Sequence, residues 1–258
     1  EKIRTKKKIN VDLDNPEQTI YVSAGKNQTL VFNQKNPGPG GLPVGTSGKV
    51  LCLLSGGFDS VAAAYLLAKR GAQVDYLHFH VFTDGQLVLK SKIKTIVAGL
   101  QPWTLSKKLF LASYLPFQMA ALSLSERDTQ HELVVYRRLM VRVGEELAKK
   151  FDYQALVLGD SLGQVASQTL ENIVAVDRAV TIPVFRPLIG NDKNETINLV
   201  RQIGLETVVN EPYKDCCSLI STHPVTRADL DKIAKIETGF KIEAIIKDIA
   251  DHAQIINL

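Results

Sequence analysis

The chain has 258 residues, 45% of them hydrophobic and 22% charged, enough to bury one sizeable core with room for a minor appendage. No stretch approaches the roughly 20 consecutive apolar residues of a membrane helix, and the basic opening Glu1-Lys-Ile-Arg-Thr-Lys-Lys-Lys8 leads into no apolar segment, so a cytoplasmic location and no membrane partner are expected. A formal charge of +4 leans toward a polyanionic partner without proving one, and three cysteines, Cys52 and the vicinal Cys216 and Cys217, are too few for a disulfide framework.

The first 34 residues carry a basic run and then two alternating stretches, Gln18 to Val22 and Gln28 to Phe32, which read as a hairpin. The opening reads as the end of something longer. From Asn36 to Gly48 the density of Pro and Gly suits neither a helix nor a central strand, so residues 37–48 are expected to be a linker. Apolar strand candidates then alternate with amphipathic helix candidates: strand Val50 to Leu54, helix Val61 to Arg70, strand Val74 to Phe79, strand Leu109 to Leu115, helix His131 to Lys150, and strands Ala155 to Leu158 and Thr181 to Phe185. Helices follow at Asp192 to Ile203 and Arg227 to Ile236. This alternation predicts an α/β fold, a doubly wound and mostly parallel sheet covered on both faces. Residues 84–130 are otherwise the least legible part.

The sharpest local signal is Val50-Leu-Cys-Leu-Leu54, then Ser55-Gly-Gly-Phe-Asp-Ser60, then an apolar-periodic helix. Strand, glycine loop and helix make an anion site: Gly56 and Gly57 can take backbone angles closed to other residues and bring N–H groups to phosphate oxygens, beside the partial positive charge of a helix N-terminus. Ser55 and Ser60 can add hydroxyl donors, and Asp59 can hold Mg2+ against phosphates. The other glycine-rich stretch, ending Gly48-Lys49, has Pro43 where a Walker loop needs its first glycine and Val50 where it needs Ser or Thr, and it precedes the strand.

The loop resembles the SGGxDS signature of the PP-loop ATP pyrophosphatases. Together with Gly40 to Lys49, Val74 to Phe79, Tyr136-Arg-Arg-Leu-Met140, Gly159 to Asn172, Arg186 to Gly190 and Glu211-Pro-Tyr-Lys-Asp-Cys-Cys217, the chain resembles the tRNA 4-thiouridine synthetase (tRNA sulfurtransferase, ThiI-type) family from about Pro37 to Arg227. The resemblance implies an enzyme that adenylates a tRNA uridine with ATP, forming AMP and pyrophosphate, and then transfers persulfide sulfur to it. It implies ATP contacts at Leu53, Leu54, Ser55, Gly56, Gly57, Asp59, Ser60, His78, Phe79, Arg137, Gly159 and Gln168. It also implies catalysis by Asp59 and by Cys217, which aligns with the family's cysteine by its spacing to Ser221 and Pro224, with Cys216 as an extra thiol that resolves or shares the sulfur. The residue types suit this chemistry, because a thiolate or persulfide is a competent nucleophile near neutral pH when its pKa is lowered.

Read without the family, Cys216 and Cys217 are small packing residues, Arg137 and Arg138 a solvated helix face, and Gln164 and Gln168 surface partners four apart. Residues 1–36 are expected to be the remnant of a THUMP-like RNA-binding domain, and residues 49–258 the catalytic PP-loop domain. The rhodanese-like sulfur-relay domain of many members does not follow, so sulfur is expected from a cysteine desulfurase or another persulfide donor. No C-x-x-C spacing supports an iron-sulfur cluster. Asp160 stands where the family usually has Glu. A homodimer, a part in thiamine synthesis, an adenylating enzyme with another acceptor, and a non-catalytic nucleotide- or RNA-binding module all stay open at this point.

Overall fold

The structure, a computed structural model, describes residues 11–220 and 223–258. The basic run of the first eight residues and Ser221 lie outside them. The chain divides into two compact units, residues 1–40 and residues 41–258. In the first, β1 (Tyr21–Ala24) and β2 (Thr29–Phe32) form an antiparallel hairpin, with Tyr21 opposite Phe32 and their rings stacked at 5.3 Å. The hairpin was legible in the sequence, although its first strand sits three residues later than the alternation suggests. The Gly25 N–H bonds the Gln28 carbonyl across the turn, and that closure fixes the register.

The second unit holds β3 (Lys49–Leu53), β4 (Gln73–His80), β5 (Lys108–Ser113), β6 (Ala155–Val157), β7 (Val184–Phe185) and β8 (Gln254–Asn257) in one sheet, ordered β7-β6-β3-β4-β5-β8. All neighbours are parallel except β8, which runs antiparallel to β5. The order reverses between β3 and β6, and the crevice beyond their C-terminal ends is where such sheets bind ligands. Edge strand β7 is two residues long and bracketed by Pro183 and Pro187. It is shorter than the strand expected from Thr181, because Glu145 takes the Thr181 and Ile182 N–H groups with one carboxylate oxygen.

Strand residues sort to two faces with period two. Leu51, Leu53, Leu77, Phe79, Phe110 and Leu156 join the core built with α4 (Glu132–Phe151) and α9 (Ile242–His252), while Val50, Cys52, Val74, Tyr76, Leu109 and Val157 join the opposite core with α1 (Phe58–Lys69) and α2 (Lys92–Thr104). Helices therefore cover both faces, as a doubly wound fold requires. In α1 the run Val61-Ala-Ala-Ala64 is fully buried, and alanine, the best helix former, lets the helix axis lie close to the sheet. The stretch 84–130 resolves into a 3-10 turn (Gly85–Lys90), α2, β5, α3 (Leu115–Ala121) and a short turn (Thr129–His131). The last strand and α9 went unforeseen, and the helix expected at Arg227 to Ile236 is α8 (Leu230–Phe240), starting where Asp229 caps the Asp231 and Lys232 N–H groups.

Candidate active site

At the switch point the chain leaves β3 through Leu54 and turns at Gly56, whose φ of +84° is the left-handed conformation that favours glycine. Gly57 has φ −92° and ψ 169°, ordinary extended backbone, so the expected need for special angles applies to one glycine of the pair. A Cβ at Gly56 would lie 2.5 Å from Ile93 Cδ1. Ser60 ties the loop together: its Oγ accepts from the Ser55 N–H at 3.2 Å, donates to the Gly57 carbonyl at 3.2 Å and meets Ser55 Oγ at 3.2 Å. Both hydroxyls serve the loop's own geometry here.

Beyond the loop lies a cavity of about 230 Å³ lined by Leu53, Leu54, Ser55, Asp59, Ser60, Phe79, Arg137, Gly159, Gln168 and Cys217 among the residues singled out in the sequence. Gly56 and Gly57 form the loop without lining it. Gly159, after β6, touches the loop from the other strand end: a Cβ there would fall 2.5 Å from the Asp59 carbonyl carbon and 2.7 Å from the Ser60 nitrogen. His78 is absent from the lining, because consecutive residues of a strand face opposite sides and Phe79 takes the cavity side. His78 turns to the other face, with Nδ1 2.7 Å from the Leu54 carbonyl oxygen and Nε2 2.7 Å from the Tyr213 hydroxyl. Burial pushes its imidazole down to about 4. The ring is therefore neutral near pH 7, and since a carbonyl can only accept, Nδ1 donates and Nε2 accepts from Tyr213.

Sequence reasoning passed over the charge hub of the site. Asp160, 3% exposed, accepts from Arg137 at 2.7 and 2.9 Å, from Arg186 Nε at 2.9 Å and from Gln168 Nε2 at 3.4 Å. Burial alone would raise this carboxyl, but the two guanidiniums outweigh it and hold it below its ordinary value. Arg137 also reaches Ser167 Oγ at 3.3 Å, so it braces the cavity wall. A second omission is Lys193, the first residue of α6 (Lys193–Gln202), whose Nζ lies 2.8 Å from Asp59 Oδ1 and 3.1 Å from Oδ2, while Gln164 Nε2 donates to Oδ2 at 3.1 Å. Their distance in sequence, 134 residues for Lys193, hides both contacts.

The cysteines part company. Cys217 is exposed and lines the cavity; Cys216 is buried in the core beside Tyr136. Their 3-10 turn (Cys216–Leu219) is capped by Asp215, whose carboxylate accepts from the Cys217 N–H at 3.4 Å. The dense protein around Cys217, followed by the Asp215 carboxylate, pushes its thiol up to about 12, with Arg137 pulling the other way. Burial pushes Cys216 up to about 12 as well, against the Tyr136 hydroxyl. The lowered thiol pKa expected for a nucleophile is thus not a feature of this arrangement, in which two carboxylates outnumber the one nearby guanidinium. No group of three or more His, Cys, Asp or Glu among the described residues could hold a metal, and Asp59 has both oxygens engaged. The described residues alone build no cation cage.

The profile of the family described as thiamine biosynthesis protein (ThiI) matches residues 45–242. The chain belongs to the ThiI family. Curated ThiI relatives include a probable tRNA sulfurtransferase from Thermus thermophilus, 41% identical over 237 residues, covering 92% of this chain and 58% of the relative. Another, from Alkaliphilus oremlandii, is 38% identical over 240 residues, covering 92% and 60%. The chain thus spans about 60% of the length of these relatives. A solved structure described as a 4-thiouridine synthetase–RNA complex with bound ATP superposes with a TM-score of 0.88 at 29% identity, over 99% of this chain and 67% of that one. No described helix is long and apolar enough to cross a membrane.

Proposed function

We propose that this chain carries the catalytic part of an ATP-dependent tRNA sulfurtransferase that forms 4-thiouridine. The observation that carries the reading is that one cavity holds both the phosphate loop, with Ser55, Asp59 and Ser60, and the accessible thiol of Cys217. The names of the relatives and of the solved neighbour support the same chemistry. ATP would lie with its phosphates along the loop and the N-terminus of α1, against the wall formed by Phe79, Arg137, Gly159 and Gln168. The O4 of a uridine attacks the α-phosphorus and pyrophosphate leaves. The terminal sulfur of a Cys217 persulfide then attacks carbon 4, the C–O bond breaks and AMP departs, and an outside thiol cleaves the remaining S–S bond.

Magnesium fits as an ion carried by the nucleotide's phosphates, with Asp59 as its one protein carboxylate once Lys193 and Gln164 release it. Lys193 stands ready to take the phosphate charge in exchange. A persulfide is a stronger acid than a thiol, so loading Cys217 with sulfur offsets the upward push of its surroundings. The sulfur donor is a desulfurase or another persulfide carrier, and hairpin β1–β2 is the end of an RNA-binding domain of the THUMP type. The test is nucleoside analysis of tRNA incubated with ATP, Mg2+ and a persulfide donor. Cys217→Ser is expected to lose 4-thiouridine while still releasing pyrophosphate. Normal thiolation by that variant would sink the assignment of Cys217, and failure of the unaltered protein to release pyrophosphate would sink the adenylation step. The acceptance of sulfur by tRNA separates this reading from an adenylating enzyme with another acceptor.

A further inference from the structure

The segment that brings Cys217 to the cavity, residues 209–217, contains only a short turn of regular structure, yet it is tied to the base of the phosphate loop at two places. The first tie is His78. Its ring bridges the Leu54 carbonyl, the last residue before the loop, and the Tyr213 hydroxyl, at 2.7 Å on each side. It is 1% exposed, and its neutral ring has one donor and one acceptor, each used by one partner. The second tie is Lys92. Its Nζ donates to the Val209 and Glu211 carbonyls, both at 2.7 Å, while its stem passes under the loop, with Cε 3.5 Å from where a Gly56 Cβ would be. Neither residue is among those that line the cavity.

We infer that His78, Lys92 and Tyr213 are positioning residues that seat the Cys217 segment against the phosphate loop, so that the nucleotide site and the sulfur-bearing thiol keep a fixed separation. For the reaction, this inference rests on the reading of Cys217 as the sulfur carrier. The placement of the thiol does not depend on it. Two strong polar contacts to main-chain carbonyls and one to a side-chain hydroxyl hold a segment with few backbone bonds of its own. Lys92 is charged, and hydrogen bonds from charged groups are the stronger kind. The conformational freedom of residues 209–217 is thereby restrained at both ends of the Glu211-Pro-Tyr213 run.

The test measures the rate at which iodoacetamide alkylates Cys217 in the 258-residue chain, read by peptide mass spectrometry, in Tyr213→Phe, Lys92→Met and the double variant. Tyr213→Phe keeps the ring and deletes only the hydroxyl. Seated, the thiol is held against the cavity wall; released, it swings out into solvent and meets the reagent more often. Alkylation is expected to rise about threefold in each single variant and about tenfold in the double, the range one or two net hydrogen bonds allow. Cys52, buried in β3, is the internal control and stays slow. Equal rates in all four proteins, or a rise shared by Cys52, would overturn the inference, the first because the ties seat nothing and the second because the variants unfold globally. In thiolation assays the same variants are expected to lower kcat with KM for ATP unchanged; a matched rise in KM alone would count against a thiol-positioning role. A protein that shows the alkylation pattern but releases no pyrophosphate would keep the seating and lose the proposed reaction.

Discussion

Replacing Gly159 with alanine tests the packing of the two strand ends that make the site. The added methyl would stand 2.5 Å from the Asp59 carbonyl carbon, 2.6 Å from its oxygen and 2.7 Å from the Ser60 nitrogen, where ordinary contact begins at 3.4 Å. The shortfall is about 0.9 Å, and all three obstacles are main chain at the start of α1, with no side-chain end that can swing aside. The loop after β6 and the phosphate loop must separate by about that much, a change that costs roughly 1–3 kcal/mol as overpacking. A displacement near 1 Å at the reacting centre costs on the order of 100-fold in rate. Urea unfolding should therefore show a loss of about 1–3 kcal/mol, and ATP-dependent pyrophosphate release should fall by about two orders of magnitude. Gly57→Ala is the control for stability, since its Cβ would meet only Ser55 Oγ, at 3.5 Å, in ordinary extended backbone. If Gly159→Ala releases pyrophosphate at the normal rate, the close approach does not shape the site.

Asp160→Asn leaves Arg137 without its carboxylate and Arg186 with Asp177 alone, and urea unfolding should register about 3 kcal/mol, against less than about 1 kcal/mol if the hub were solvated. Lys193→Ala should change stability by less than about 1 kcal/mol, because the pair with Asp59 is partly exposed, while pyrophosphate release falls sharply; unaltered release would show that the lysine plays no part near the phosphates. Glu145 carries the pH prediction. Burial would raise its carboxyl, but the Thr181 and Ile182 N–H groups, helped by the Thr181 hydroxyl and Lys149, bring it down to about 2. A depressed carboxyl contributes stability that is fully present above its ordinary value and is lost as pH falls toward about 2. Thermal melts of Glu145→Gln between pH 5 and pH 2 should lose less of their stability than those of the unaltered chain, and identical acid slopes would refute the role.

What was legible in the sequence was local. The glycine loop stood out because strand, turn and helix adjoin in the chain, and the apolar runs at Val50, Val74 and Ala155 gave central strands because residues buried on both faces leave no alternation to misread. The region around α2 hid its helix behind Gly99 and Pro102, and Pro102 sits inside the helix where composition argues against one. His78 and Phe79 are adjacent in sequence, and the pleat sent one to each side of the sheet. Asp160 looked like a conservative exchange because its partners Arg137 and Arg186 lie 23 and 26 residues away and meet it only when β6 is in place. The pairing of Asp59 with Lys193 was out of reach for the same reason.

The brevity of β7 has a bearing on how the protein keeps from associating through its sheet. An open strand edge is a template for another chain, and the danger grows with the number of free N–H and C=O groups in register. Here the edge strand is only two residues long, Val184 and Phe185, with prolines at 183 and 187. The Pro183 and Phe185 carbonyls turn inward and accept from the Leu156 and Leu158 N–H groups, so the outward rung is left to Val184 and Arg186 alone. A would-be partner finds too short a rung to hold, which disfavours cross-β growth from this edge of the sheet.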